Sequence, residues 1–448
     1  MGKYFGTDGV RGFANETLTL DMAVSIGTYL GWYYGKNHRA KILIGKDTRL
    51  SGDMFEMGVA AGATAAGANV YLLGVCPTPT VSYLCERERF DCGVMISASH
   101  NPYEYNGIKF FNGEGFKLDD DLEEQIEDII ISSVDVNSHI TGDKLGRCLE
   151  AEDNALELYA EFLKSTIDIR LDGMKIVLDC ANGAAYKVAE KVYRDLGAEV
   201  VVIANTPDGI NINNACGSTH PEKLQEMVVK HNADLGLAYD GDADRLIAVD
   251  ELGRIIDGDK TILMCAKMLK EEGKLTHNQV TATVMSNLGF HKACKEMGCN
   301  VEVTGVGDRY VLESMLENDY IIGGEQSGHI IFREFATTGD GELSALKLLC
   351  IMKESGKKLS ELASEMKVFP QVLINVRVSD FGKARFPRDK EIKNAIESVE
   401  KELGDTGRVL VRVSGTEPLV RVMLEGKDEE KINVLAQEIA EVIRERLL

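Results

Sequence analysis

One pattern returns three times along the chain, and it narrows the fold more than any other feature. "KILIGKDTR" begins at Lys41, "KIVLDCANG" at Lys175 and "QVTATVMSN" at Gln279. Each is an aliphatic, β-branched run that ends in polar residues and leads into a helix-like stretch. A glycine then precedes a second Val-rich run: "GANVYLLG" from Gly67, "GAEVVVIA" from Gly197 and "GCNVEVTG" from Gly298. Glycine after a helix supplies the left-handed residue that closes its C-terminus. A third strand follows in each repeat and stops at a polar loop, in "CGVMISASHNP", "LGLAYDGDADR" and "YIIGGEQSGH". Such strand–helix–strand units predict α/β layers around largely parallel, buried sheets. Ligands of these sheets gather beyond the carboxyl ends of the strands. The three polar loops are therefore expected at equivalent, functional positions.

The last part of the chain differs. "QVLINVRVSD" from Gln371 and "RVLVRVSGTEPLVRVMLEG" from Arg408 alternate in polarity, as half-exposed strands do. Helix-like stretches are expected near 389–403 and 428–447. The chain of 448 residues thus divides into three related α/β/α domains with mostly parallel sheets, at 1–150, 151–252 and 253–367, plus a smaller C-terminal α+β domain at 368–448.

Composition removes some functions. The net charge of −22, from 50 basic and 72 acidic residues, argues against nucleic acid or an anionic membrane as partner. A small phosphorylated ligand stays open, because it needs only a local cluster of cations and backbone N–H groups. The 10 cysteines are scattered without any Cys-x-x-Cys, which disfavours a zinc ribbon or a thioredoxin-like site, and Cys180 in its apolar run reads as a buried thiol. "MGKYFGTDG" has no signal-peptide core, and the greasy stretch from Met22 to Gly35 is too short and mixed for a bilayer. The expected compartment is a reducing cytoplasm.

The loops carry the chemistry. In "DGDADR", Asp240, Asp242 and Asp244 alternate, so an extended loop would put their carboxylates on one side. Three close carboxylates repel unless a cation sits between them, and oxygen-only donors suit Mg²⁺ or Ca²⁺ rather than zinc. An EF-hand is a partial match, with Glu251 at its last ligand position. However, Arg245 stands where the sharp turn needs glycine, and "ADLGLAYD" before it is strand-like. In "SASHNP", adjacent side chains of an extended chain point to opposite faces, so His100 is expected to be a poor base for Ser99. No Gly-x-Ser-x-Gly elbow is present. A serine facing a carboxylate–metal loop suits phosphoryl chemistry better, since a phosphoserine could lend the metal another oxygen.

Other stretches point the same way. "RVSGTEPLVR" lets Arg412, Ser414, Gly415, Thr416 and Arg421 converge on a phosphate dianion. "GEQSGH" sets Glu325 and Ser327 two apart, able to grip sugar hydroxyls, beside a His329 that could titrate near neutrality. "GVGDRYV", with Gly305, Asp308 and Arg309, reads as a turn and helix start, and "FGTDGVRG" places Arg11 in a Gly-rich, backbone-exposed loop.

The ordered set "GTDGVRG", "ISASHNPYEYNGIKFF", "DGDADR", "VGDRYV", "GEQSGH" and "RVSGTEPLVR" resembles the α-D-phosphohexomutase superfamily along the whole chain. "KYFGTDGVRG", "ISASHNP" and "GEQSG" are most similar to its bacterial phosphoglucosamine mutase branch. The resemblance implies four domains around a central cleft and a phosphate carried on Ser99. It implies one Mg²⁺ held by Asp240, Asp242, Asp244 and the Ser99 phosphate, with Arg245 steadying the phosphoserine. Arg11, Lys109 and His329 match positions for transition-state or proton-transfer roles, and His100 shapes the pocket of Ser99. Glu325 and Ser327 match a sugar grip, Gly305, Asp308 and Arg309 fall on the substrate side, and the C-terminal loop matches a clamp for the distal phosphate. The implied enzyme is an isomerase that interconverts glucosamine 6-phosphate and glucosamine 1-phosphate through glucosamine 1,6-bisphosphate, towards UDP-N-acetylglucosamine and cell wall. Its expected partner is a phosphosugar, and a homodimer is compatible. The nearer alternative is the same reaction on mannose or glucose phosphates. The farther one is a non-catalytic protein of this fold that binds metal or sugar phosphate, against which Ser99 and Lys109 speak.

Overall fold

The computed structural model describes residues 5–6, 8–132, 140–414 and 418–447. It divides into two compact units, residues 1–285 with 298–365 and residues 286–297 with 366–448.

The first unit holds three sheets. Strand Lys41–Lys46 lies between Asn69–Val75 and Cys92–Ile96 and runs parallel to both. Lys175–Asp179 lies likewise between Glu199–Ile203 and Leu235–Tyr239, and Gln279–Thr283 between Asn300–Thr304 and Ile322–Gly324. The repeat in the sequence is therefore a repeat in space, in the α/β class expected of it. Strands Cys92–Ile96 and Leu235–Tyr239 are buried at every residue, which is why they read as unbroken apolar runs. Gly67, Gly197 and Gly298 have φ of +94°, +100° and +70°, the left-handed closure their position after a helix called for.

A fourth strand turns back antiparallel on the third in every repeat: Tyr105–Asn112, Leu246–Asp250 and Ile330–Phe332. The three polar loops are thus hairpin loops, at residues 97–104, 240–245 and 325–329, each anchored at its start by a buried parallel strand. Among the described residues no helix is long and apolar enough to cross a membrane.

The second unit is an antiparallel sheet in the order Gln371–Arg377, Leu419–Gly426, Gly407–Val413. Helices Lys390–Leu403 and Glu429–Leu447 accompany it, at the places the sequence suggested. The latter buries Ile432, Leu435, Ala436, Ile439, Ala440, Ile443 and Leu447, one face of a helix. The unit also includes helix Leu288–Glu296. Buried Glu425 accepts from the Leu288 N–H at 3.0 Å and from Asn287 Nδ2 at 3.2 Å, and pairs with Arg408 at 2.8 Å.

The first repeat is fixed by a contact between backbones. Helices Leu20–Tyr34 and Gly52–Ala65 meet through glycines: a Cβ on Gly27 would stand 2.0 Å from the Val59 carbonyl oxygen, and one on Gly62 2.1 Å from that of Val24. Replacing a helical glycine by alanine gains about 1 kcal/mol of propensity, whereas overpacking costs ~1–3 kcal/mol. Neither backbone can step aside alone, so Gly62→Ala should lower the urea midpoint. A midpoint equal to or above that of the wild type would contradict the close approach.

Candidate active site

The hairpin loops of the three repeats lock together through their backbones. The Ser99 carbonyl oxygen passes so close to Gly241 that a Cβ there would lie 2.5 Å away. Arg245 and His329 form an antiparallel bridge, with the Leu246 N–H donating to Gly328 O at 3.0 Å. The N–H groups of Thr78 and Gly341 donate to the carbonyls of Asp242 and Ala243, at 2.8 and 3.0 Å. Loop 240–245 is therefore held from several sides.

Asp240, Asp242 and Asp244 are buried, with ligand oxygens within 4.8 Å of one another. They do not gather by strand alternation, as expected from their spacing. The hairpin reverses here through a turn, and Ala243 takes φ +60° to make it. Burial and the two neighbouring carboxylates push Asp240 well above its ordinary pKa. Lys109, 1% exposed, answers them: its Nζ lies 2.7 Å from Asp242 Oδ2, 3.2 Å from Asp244 Oδ2 and 2.9 Å from Asp8 Oδ2. Burial alone would discharge this ammonium, but the three carboxylates raise its pKa well above the usual lysine value. Thr78 Oγ1 donates to Asp242 Oδ2 at 2.6 Å and fixes that carboxylate. Among the described residues, Asp242 Oδ1 and Asp244 Oδ1 remain buried without a hydrogen-bond partner. An oxygen left so costs ~1–3 kcal/mol or more. A hard divalent cation fits these oxygen-only donors.

Ser99 is buried and sits at φ +53°, and its hydroxyl donates to Asp240 Oδ2 at 2.6 Å. His100 Nδ1 is 3.3 Å from Ser99 Oγ. The expectation that the two side chains point apart is thus corrected, because Ser99 is left-handed rather than extended. His100 is still no base for it. Arg245 Nη1 donates to His100 Nδ1 at 3.0 Å, so that nitrogen is an occupied acceptor. Burial, with the guanidinium groups of Arg245 and Arg11, lowers the imidazole pKa to about 3.

His329 is buried, with Nδ1 3.6 Å from Asp244 Oδ2 and Nε2 3.3 Å from Asp308 Oδ2. Burial opposes its charge, and so does the Gly339 N–H, which donates to Nε2 at 3.0 Å, yet the two carboxylates raise its pKa overall. Asp308 also pairs with Lys117, and Lys117 reaches Asp8 Oδ1 at 2.6 Å. A circuit of alternating sign closes: Asp8, Lys109, Asp244, His329, Asp308, Lys117 and back to Asp8. Arg11 pairs with Asp8 from outside it.

Ser99, Arg11, His100, Lys109, the three aspartates, Arg245, His329 and Asp308 thus come together in the first unit. Arg11 does so from strand Gly9–Phe13, not from the expected loop. Its partner across the sheet is Gly107, whose missing side chain leaves room for the arginine stem. Ser327 Oγ faces Glu325 Oε2 at 3.4 Å at its hairpin tip. Gly305 is exposed just before helix Asp308–Asn318. Arg309 donates to Leu118 O at 3.0 Å and pairs with Glu123 at 2.7 Å. Sequence reasoning missed Asp8, Thr78 and Lys117. Asp8 lay inside a motif already singled out, while no spacing rule marks the other two.

In the second unit, Arg412 and Arg421 stand directly opposite each other on adjacent antiparallel strands. Such like-charged pairs are unfavourable. Burial and then Arg421 lower the pKa of Arg412, a pairing that an anion would relieve. Ser414 is buried at the strand end, its N–H donating to Leu419 O at 2.8 Å. Gly415 and Thr416 lie outside the described residues.

Models of phosphoglucomutase/phosphomannomutase alpha/beta/alpha domains I, II and III match residues 2–135, 157–253 and 257–369, and that of the C-terminal domain matches 373–442. A phosphoglucosamine mutase of Caldicellulosiruptor bescii is 56% identical over 453 residues, covering 100% of both chains. The chain belongs to the phosphoglucosamine mutase family. One of Acetivibrio thermocellus is 54% identical over 449 residues, again with 100% of both covered. A phosphoglucomutase/phosphomannomutase family protein of Burkholderia thailandensis shares the fold at TM-score 0.81 and 23% identity, over 99% of this chain and 98% of that one. So does Aspergillus fumigatus N-acetylphosphoglucosamine mutase, solved in complex with GlcNAc-6P and magnesium, at TM-score 0.68 and 16% identity over 99% and 96%.

For this member of the phosphoglucosamine mutase family, the charge circuit makes a prediction. Lys117→Met leaves Asp8 and Asp308 facing each other without the ammonium between them, and breaking such a buried pair costs ~3–5 kcal/mol. Adding Asp308→Asn removes one of the stranded charges. The double variant should therefore unfold at higher denaturant than Lys117→Met alone, and simple additivity of the two losses would argue against the circuit.

Proposed function

We propose that the chain interconverts glucosamine 6-phosphate and glucosamine 1-phosphate through a phosphate carried on Ser99. The observation that carries this reading is the Ser99 hydroxyl, which donates at 2.6 Å to Asp240 beside two buried carboxylate oxygens that accept no hydrogen bond from the described residues. The sugar is named from relatives called phosphoglucosamine mutase, 56% identical in the case of the Caldicellulosiruptor bescii protein.

Asp240, Asp242 and Asp244 would hold Mg²⁺ together with the phosphate on Ser99. When bound, the ion supplies Lewis-acid withdrawal of charge from the phosphoryl oxygens. The chain's residues do the rest. In the first half-reaction the bond from Ser99 Oγ to phosphorus breaks, and a bond from the sugar's free hydroxyl to the same phosphorus forms. The hydroxyl proton passes to His329 in its neutral form, which Asp244 and Asp308 hold in place, and the departing Ser99 Oγ takes a proton from the Lys109 ammonium. Lys109 and Arg11 bring positive charge to the group in transfer, and Arg245 steadies Ser99 through His100. The product is glucosamine 1,6-bisphosphate. After the sugar turns over, its other phosphate returns to Ser99 by the same steps in reverse. Phosphate monoesters hydrolyse so slowly, with enzymatic accelerations up to ~10²¹-fold, that the phosphoserine can wait intact for substrate.

Glu325 and Ser327 grip the sugar hydroxyls. Arg412, Ser414, Gly415, Thr416 and Arg421 clamp the phosphate that is not reacting. Gly305, Asp308 and Arg309 line the substrate side, Asp308 through its hold on His329. The working division of the chain is 1–150, 151–252, 253–367 and 368–448.

Ser99→Ala should abolish nearly all turnover and remove a phosphate-sized increment from the intact mass. Retention of more than a few per cent of wild-type activity would refute the phosphoserine. Arg421→Ala should raise KM for glucosamine 1-phosphate more than it lowers kcat, because a clamp on the distal phosphate binds ground and transition states alike. Unchanged KM and kcat would remove Arg421 from the clamp.

A further inference from the structure

We propose that Arg49 and Asn213 are positioning residues that hold the Ser99 peptide in one strained conformation, so that the serine presents its oxygen identically each time phosphate leaves it and returns. The inference rests on Ser99 as the phosphoryl carrier.

The side chain of Arg49 is fully buried at the end of the first strand of the first repeat. Its Nη2 donates to Ser99 O and Asn101 O, both at 2.8 Å, and its Nη1 to Tyr105 O at 3.1 Å and to Pro102 O. Its Nε donates to Asp47 Oδ2 at 2.8 Å. One planar guanidinium thus gathers the backbone of the whole hairpin loop, a task its fixed fork of donors suits and a lysine could only partly fill. Asn213, 7% exposed and from the second repeat, donates to the same two carbonyls, Ser99 O at 2.9 Å and Asn101 O at 3.1 Å. The other side of the Ser99 peptide is tied as well. Its N–H donates to Ser97 Oγ at 2.9 Å, and Ser97 Oγ donates to Asp47 Oδ2 at 2.6 Å, the oxygen that also receives Arg49.

A serine at φ +53° is in a region that L-residues avoid, and it stays there only where the surroundings over-determine it. Arg49, Asn213 and Ser97 are those surroundings. None of the three hydrogen-bonds to the aspartate cluster or to the Ser99 hydroxyl. Their effect on reaction is therefore through the position of Ser99. The proposed cycle uses that oxygen twice, against opposite ends of the sugar. A displacement of about 1 Å in a reacting group can cost ~10²-fold in rate.

The test compares Arg49→Lys and Asn213→Ala with wild type by thermal melting and by kcat and KM for glucosamine 1-phosphate. Folded Arg49→Lys should lose on the order of 10²-fold in kcat and Asn213→Ala about tenfold, with KM within about twofold. A role limited to stability would lower Tm and leave the kcat of the folded protein alone. A folded variant with kcat within about twofold of wild type, or one whose loss lies in KM, overturns the proposal. If Arg49→Lys does not fold, Asn213→Ala decides alone. If neither folds, the contacts are structural and the proposal also falls. A wild-type protein without mutase activity would instead sink the assignment of function.

Discussion

Three carboxylates packed within 4.8 Å of one another and buried set the terms for everything around them. At about 4 Å and an effective dielectric near 20, each like-charge contact costs ~4 kcal/mol. The chain answers with cations drawn from its three repeats: Lys109 on strand Tyr105–Asn112, Arg245 at the end of the second hairpin loop and His329 at the end of the third. No single repeat could build this arrangement, since each contributes one hairpin. A chain of net charge −22 thus collects positive charge at one place.

Bringing three hairpin tips to one point requires backbones to touch, and this decides where glycine must stand. A Cβ on Gly328 would meet Leu246 O at 2.1 Å, and its φ of +94° lies where side chains are rarely tolerated. Gly241 does the same work against Ser99 O. The two contacts join the first loop to the second and the second to the third. The glycines of "DGDADR" and "EQSGH" therefore serve the joints of the site, while the polar residues between them serve its chemistry.

Much of this was legible in the sequence because the repeat carries its own period. The apolar runs, the closing glycines and the three polar loops all fell on the elements they suggested. What stayed hidden has physical causes. Ser99 and Ala243 are left-handed, and neither residue type announces that conformation, so arguments from extended geometry failed at both. Arg49 escaped because its partners are carbonyls, which leave no mark in a sequence. A rule could have found it. At the end of the first strand of each repeat, a polar side chain accepts from the N–H two residues on: Asp47 from Arg49, Asp179 from Ala181, Thr283 from Met285. The third strands were searched for function, and the first strands end on the same side of the sheets.

On the proposed reading, the charge count around Ser99 links a phosphoserine to a divalent metal. Asp8, Asp240, Asp242, Asp244 and Asp308 face Arg11, Lys109, Lys117, Arg245 and His329, so with all ten ionised these groups balance. A phosphate on Ser99 would add a charge of about −1.5 to −2 in a buried position. One divalent cation cancels that addition. Either partner alone would leave the cluster unbalanced by nearly two charges in a low dielectric, where imbalance is costly. On the proposed reading, phosphoserine and divalent metal each stabilise the other's presence.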